Sequence, residues 1–456
     1  MLLTITNPAN DEIITELETD DHVSIIEKFN RSMSAQLGWA RSAPEKRERA
    51  IRRFSDRLAE RQELLARTLT EETGKPITQS RREIAATRDR IHFFLDHYKA
   101  LLEPESVWSE GDMVERISYD PLGVVANISA WNYPYFVGSN VFVPALLTGN
   151  TVLYKPSEYA SLTGLSIAEL LYDSGFSDEV FTPILGGAFA GQELLKWPVQ
   201  GVFFTGSYKT GRQIADICGR RFIPLQVELG GKDPVYVADD VDVAVAAASV
   251  ADGAFYNNGQ SCCSVERIYV HENIYDAFLE TFLDTVRAFK IGDPMNEETY
   301  LGPLTRKSQI AVLETQVKGA LDGGARLLHG GKPIVRPGNY FEPTVLINVD
   351  HTMEVMTEES FGPIIGIMKV RSDREATSLM NDTRYGLTAG VYSKDQERAE
   401  LILRDVVSGS AYWNCCDRVS ARLPWSGRRD SGVGVTLGKE GIRAFQRSRA
   451  WHLRRA

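Results

Sequence analysis

The sequence predicts an α/β protein built on two parallel sheets, each covered by helices. Three observations carry this. Short apolar runs alternate with helical segments between residues 123 and 229. The same alternation starts again after Pro234. The composition, 43% hydrophobic and 25% charged, is that of an ordinary globular chain. Strands that alternate with helices form βαβ units, and these build parallel sheets with both faces buried. A length of 456 residues suggests two or three domains with ample core.

The first hundred residues read mostly as helix. Residues 43–68 interleave charges with Ile51, Phe54, Leu58, Leu64 and Leu65 at helical spacing, giving an amphipathic helix with a solvated face. The first sheet takes strands at 123–128, 151–154, 180–185, 201–204 and 224–229, with helices near 162–174, 191–196 and 210–220. The second takes 235–237, 267–270, 344–349, 364–370, 388–392 and 409–413, with helices near 241–253 and 274–289. The boundary falls just after Glu228, near Gly230-Gly231, which puts Glu228 and Cys262 beside an interdomain cleft.

A formal charge of −10 implies no general affinity for nucleic acid or anionic membrane. The C-terminal arginines 443, 447, 449, 454 and 455 read as a solvated face or subunit contact. No apolar stretch approaches the roughly 18 residues a spanning helix needs. Five cysteines, four in the vicinal pairs Cys262-Cys263 and Cys415-Cys416, suit neither a disulfide framework nor zinc. With no signal peptide apparent before Asp20, the expectation is a reduced, cytoplasmic protein.

Five segments carry chemistry. Gly206-Ser207-Tyr208-Lys209-Thr210-Gly211 follows an apolar strand where a helix begins, so free N–H groups and the helix dipole face a phosphate there. Alone, it is also a plain strand–turn–helix junction. Lys155 and Glu158 close another strand and could hold a ribose, the carboxylate favouring a free 2′-hydroxyl; an exposed charged turn is the bland reading. Asn132, in Trp131-Asn132-Tyr133-Pro134, could donate to an oxyanion or simply satisfy its own turn. Cys262 offers a nucleophile, although a free Cys is more often a small buried hydrophobe. Glu228 ends an apolar strand, where burial opposes ionisation, and that singles it out. Cys263 is assigned to packing.

Taken together, these segments resemble the NAD(P)-dependent aldehyde dehydrogenase superfamily over essentially the whole chain. The resemblance rests on Trp131-Asn132-Tyr133-Pro134, Lys155-Pro156-Ser157-Glu158, Phe204-Thr205-Gly206-Ser207, Glu228-Leu229-Gly230-Gly231-Lys232, Gly259-Gln260-Ser261-Cys262 and Glu358-Glu359-Ser360-Phe361-Gly362-Pro363, in that order. It implies two Rossmann-like parallel-sheet domains, one for cofactor (residues 1–112 and 128–230) and one for catalysis (231–430). It also implies a β-arm for oligomerisation (113–127 and 431–456, its last strand near 450–454), and hence a homodimer or homotetramer. Cys262 matches the nucleophile, Glu228 the base, and Asn132 with the Cys262 N–H the oxyanion hole. Ser129, Trp131, Lys155, Ser157, Glu158, Gly206, Ser207, Gly230, Glu359 and Phe361 match cofactor contacts. Glu158 favours NAD, with NADP open to some relatives.

The implied reaction is oxidation of an aldehyde through a Cys262 thiohemiacetal and thioester, hydrolysed with Glu228 as base. A semialdehyde-specific or coenzyme-A-acylating enzyme is the alternative, and the presence of Glu228 favours hydrolysis. By position the acyl side should include Tyr133, Asn140, Tyr256, Ser261, Val419 and Trp425. Arg418 is a candidate for a substrate carboxylate, or else pairs with Asp417 or faces solvent. Many relatives carry a large aromatic where Asn140 stands, and residues 414–418 and 428–432 also depart from the commoner pattern.

Overall fold

The computed structural model describes residues 2–455 and places them in four sheets. Val124–Ile128 is the first strand of a six-stranded sheet. Thr151–Lys155 and Phe181–Pro183 add in parallel on one side, and Gly201–Thr205 and Leu225–Glu228 on the other. The order therefore reverses between Ile128 and Thr205, and a crevice opens at the carboxyl ends of strands at such a point. Pro234–Val237 occupies the matching place in a seven-stranded sheet, between Arg267–His271 and Thr388–Tyr392. The chain thus passes from one sheet to the other between Glu228 and Pro234. Each sheet is parallel except for one antiparallel edge strand, Gly432–Val433 in the first and Arg326–His329 in the second.

The strands at the centre of both sheets are buried and mostly apolar because helices cover both faces. Val124–Ile128, Thr151–Lys155, Pro234–Val237 and Thr388–Tyr392 are buried at every position.

Three sequence-level expectations change. The segment 113–127 divides: Met113–Pro121 pairs with Gln446–Arg454 and Glu105–Glu110 in a separate three-stranded sheet, whereas Val124–Ile128 belongs to the six-stranded one. The break falls at Gly123, whose φ of +130° turns the chain and whose position leaves no room for a Cβ beside Gln200. Val124–Ile128 is fully buried, while Met113–Pro121 is half-exposed along its length. Likewise Gly432–Val433 pairs with Val227 and Glu228 and not with the three-stranded sheet. The helix read across 43–68 is two, Pro44–Glu60 and Gln62–Thr73, broken at Arg61. The N-terminal segment opens with an antiparallel hairpin, Leu2–Thr6 with Ile13–Glu18, before its helices begin.

Candidate active site

The loop that carries Cys262 is held in a tightly constrained conformation. Asn257, Asn258 and Gly259 lie consecutively in the left-handed region, with φ of 52°, 58° and 67°. Asn tolerates that region better than other side chains, and at Gly259 a Cβ would meet the Gly362 carbonyl at 2.6 Å. Side chains hold the turn in place. Asn258 Nδ2 donates to the carbonyls of Gly302 (2.7 Å) and Pro303 (3.0 Å). The Gln260 amide donates to Asn257 O and accepts from Thr305 N–H, and Gln79 Oε1 accepts from Asn257 N–H. Asn132 Nδ2 donates to Gln260 O at 3.1 Å, which fixes its amide beside the turn.

Cys262 is half-buried, and Cys263 is buried with its thiol donating to Asp417 Oδ1 at 3.1 Å. Contact with the Cys263 thiol lowers the Cys262 pKa, but burial and the negative fields of Glu228, Asp233 and Asp417 outweigh it, so the net shift is upward. Glu228 ends its strand fully inside the protein. Burial pushes its carboxyl up to about 7, against the hydroxyls of Thr205 (3.2 Å) and Thr436 (3.4 Å) and the field of Arg90. A carboxyl poised there can exchange a proton with water near neutrality.

Glu359 and Phe361 arrive from the second sheet. Glu359 Oε1 accepts the Gly231 N–H at 3.2 Å, and its carboxylate fills the space that a Cβ on Gly230 would need. Phe361 holds a φ of +46°, a strained conformation for an aromatic residue. Buried Glu266 accounts for it, accepting the N–H groups of Ser360 (3.2 Å) and Phe361 (3.1 Å) while paired with Lys232 Nζ at 2.5 Å. The Phe361 ring then meets Trp131 edge-on at 5.5 Å.

On the first sheet, Ser207 caps the helix Tyr208–Arg221 by accepting from Thr210 N–H. Lys155 is buried, its ammonium donating to Pro156 O and lying 3.6 Å from the half-buried Glu158 carboxylate. Ser157 donates to Glu158 at 3.4 Å. The buried Ser129 hydroxyl lies beside that of Tyr154 and meets no hydrogen-bond partner within 3.5 Å among the described residues.

Every catalytic and cofactor residue named from the sequence lines one cleft of about 870 Å³: Asn132, Glu228 and Cys262 together with Ser129, Trp131, Lys155, Ser157, Glu158, Gly206, Ser207, Gly230, Glu359 and Phe361. None of the seven substrate-side candidates does. Tyr133 stacks on Phe136, Tyr256 packs edge-on to Tyr300, and Ser261 donates to Asp417 at 2.8 Å. Asn140 is buried and accepts from Arg90. Trp425 is buried and exchanges backbone hydrogen bonds with Thr436, the partner of Glu228. Arg418 is exposed.

Sequence reasoning missed Thr205, Thr436, Glu266, Arg306 and Arg90. Thr205 and Lys232 lay inside quoted motifs, but Glu266, the partner of Lys232, comes from a segment with no local signal. Arg306, 5.9 Å from the Trp131 ring, lies just before a helix, Ser308–Asp322, that the apolar pattern did not single out.

Known proteins resemble this arrangement across its whole length. A family model described as the aldehyde dehydrogenase family matches residues 2–451. A peroxisomal aminoaldehyde dehydrogenase 1 of Malus domestica is 34% identical, over 96% of this chain and 90% of its own. A succinate-semialdehyde dehydrogenase [NADP(+)] of Deinococcus radiodurans is 32% identical, over 96% and 92%. Among solved structures, an NAD-dependent aldehyde dehydrogenase from Sinorhizobium meliloti superposes with a TM-score of 0.97 at 32% identity, covering 100% of this chain and 91% of that one. A thiol on a locked turn, a buried acid facing the same crevice and a match that runs from end to end make this chain a member of the aldehyde dehydrogenase family.

Proposed function

We propose that the chain oxidises an aldehyde to the carboxylic acid with NAD, and takes NADP less readily. The observation that carries this reading is the single cleft shared by Cys262, Glu228, Asn132 and the Lys155–Glu158 segment. The residues present fit a dinucleotide. A buried ammonium beside a half-exposed carboxylate suits ribose hydroxyls, the Ser129 hydroxyl lines the same space, and the capped helix start at Ser207 suits a pyrophosphate. When bound, the nicotinamide supplies the hydride acceptor.

Cys262 attacks the carbonyl carbon as its thiolate, forming a C–S bond and a thiohemiacetal oxyanion. The Asn132 amide and the Cys262 N–H donate to that oxygen. Loss of hydride leaves a thioester on Cys262. Glu228 then takes a proton from water, the hydroxide adds to the thioester, and the acid departs as the C–S bond breaks. Hydrolysis, not transfer to coenzyme A, is favoured because an ionisable Glu228 stands in the cleft.

The three-stranded sheet of Glu105–Glu110, Met113–Pro121 and Gln446–Arg454 is the segment we assign to joining copies of the chain. Glu105–Glu110 is exposed at every position, so a second copy has an uncovered sheet to add to. Five thiols, all unpaired, suit a reducing compartment such as the cytoplasm.

The test is NADH formation at 340 nm with short aliphatic, aromatic and carboxy-aldehydes, in parallel with NADP and without coenzyme A. NAD-dependent acid formation is the expected result. Turnover that requires coenzyme A, or none with any aldehyde by protein whose Cys262 is reduced, overturns the reading.

A further inference from the structure

Three charged side chains stand inward from the segment that packs on the helix Pro134–Leu147: Lys75, Glu83 and Arg90. All three are buried. Lys75 and Glu83 satisfy each other through a direct ion pair, and the second Glu83 oxygen accepts the Tyr135 N–H at 2.9 Å. Arg90 is different. It is 7% exposed, and no carboxylate among the described residues lies within 4.0 Å of it. The one hydrogen bond its guanidinium makes there is to Asn140 Oδ1, at 3.0 Å. A buried cation normally has a counter-ion, because desolvation without one is costly.

Arg90 stands behind the cleft and does not line it, but it lies near the chemistry, within the fields of Glu228, Glu83, Cys263 and Cys262. Its guanidinium carbon stands 3.8 Å over the Phe136 ring. Phe136 in turn stacks on Tyr133, and Lys75 Nζ stands 3.8 Å over that ring. Two aromatic faces that could cradle a cationic substrate therefore already hold the protein's own cations. An ammonium entering here meets like charge where it would need an open π face. The acid of the region, Asp417, is engaged by the Ser261 hydroxyl and the Cys263 thiol.

We propose that Arg90, positioned by Asn140 and Phe136, anchors a carboxylate carried by the aldehyde, so that the enzyme selects ω-carboxy aldehydes over neutral and ammonium-bearing ones. This rests on aldehyde oxidation at Cys262. It also shifts the carboxylate-binding role from the exposed Arg418 to a buried guanidinium, whose planar fork suits bidentate recognition.

The experiment compares three four-carbon aldehydes bearing a terminal carboxylate, a methyl ester or a trimethylammonium group. The wild type should favour the carboxylate by about tenfold or more in kcat/KM. Arg90→Met should bring the carboxylate-to-ester ratio towards one through KM, and Arg90→Lys should restore part of it. A wild-type preference for the ester or the ammonium aldehyde, or an unchanged ratio in Arg90→Met, overturns the proposal. A second measurement needs neither a variant nor turnover: alkylation of Cys262 by iodoacetamide in the wild type, with succinate or succinamide present. Slower alkylation with succinate alone supports the anchor, and equal rates overturn it, whether or not any aldehyde is oxidised.

Discussion

Glu228 and Glu266 are both buried, and both stand beside the passage between the two sheets, Glu228 at its start and Glu266 through its N–H to the Asp233 carbonyl, yet their surroundings differ. Glu266 is saturated: Lys232 neutralises it, and two backbone N–H groups bind its oxygens. Glu228 meets two hydroxyls at 3.2 and 3.4 Å and has no cation within ion-pair distance among the described residues. Burial alone therefore does not mark a base. A carboxylate that is fully paired holds backbone in place, and one left underpaired at a cleft stays able to take a proton.

Four experiments break or sharpen that contrast. The largest effect belongs to the partner of Glu228: Cys262→Ala should abolish aldehyde oxidation, measured as NADH formation, while leaving the fold intact. Next, Glu228→Gln should lower steady-state turnover by about 10²- to 10⁴-fold. It should leave a burst of NADH near one per active site, since acylation no longer leads to hydrolysis. Stability should move the other way. Glu228 keeps its proton to about pH 7 when folded, against 4.5 as its ordinary value. Its contribution is thus complete below pH 4.5 and is lost as pH rises through 7, so the Gln variant should melt no lower than wild type at pH 8.

Third, Lys232→Met should strand Glu266 and cost about 3–5 kcal/mol by denaturant unfolding. That loss is chiefly one of stability, the reverse of the Glu228 result. The smallest effect concerns pH. Activity should rise as Glu228 ionises near pH 7, and because the hydroxyls of Thr205 and Thr436 lower its pKa, Thr205→Val with Thr436→Val should move that limb to higher pH. A limb that stays in place would mean another group sets it.

The sequence made the contrast half visible. Glu228 could be picked out because an acid closing an apolar strand defies the local pattern, and Cys262 because its motif is contiguous. The parallel strands were legible for a like reason: each is a short, mainly apolar stretch set between helical segments. Glu266 was not legible, since it lies just before an apolar strand, and its partners are 34 and about 95 residues away. The hairpin Leu2–Thr6 with Ile13–Glu18 escaped because its strands are short and mostly exposed, with weak alternation. Arg90 escaped because a charge in a helix reads as solvated until the neighbouring helix is placed against it. The boundary at residue 127 failed because Gly123, not a change of composition, ends one sheet and starts the next.

The turn before Cys262 has a consequence for how the protein ages. Asn258-Gly259 is the dipeptide most prone to cyclise to a succinimide and deamidate, because glycine leaves the following N–H unhindered. Here both residues are fixed in the left-handed region, and the Asn258 amide is tied to two carbonyls of another segment. The folded chain is therefore shielded at this bond and the unfolded chain is not. Each molecule that unfolds for long acquires an aspartate or isoaspartate four residues from its nucleophile, a chemical record of lost structure that refolding does not erase.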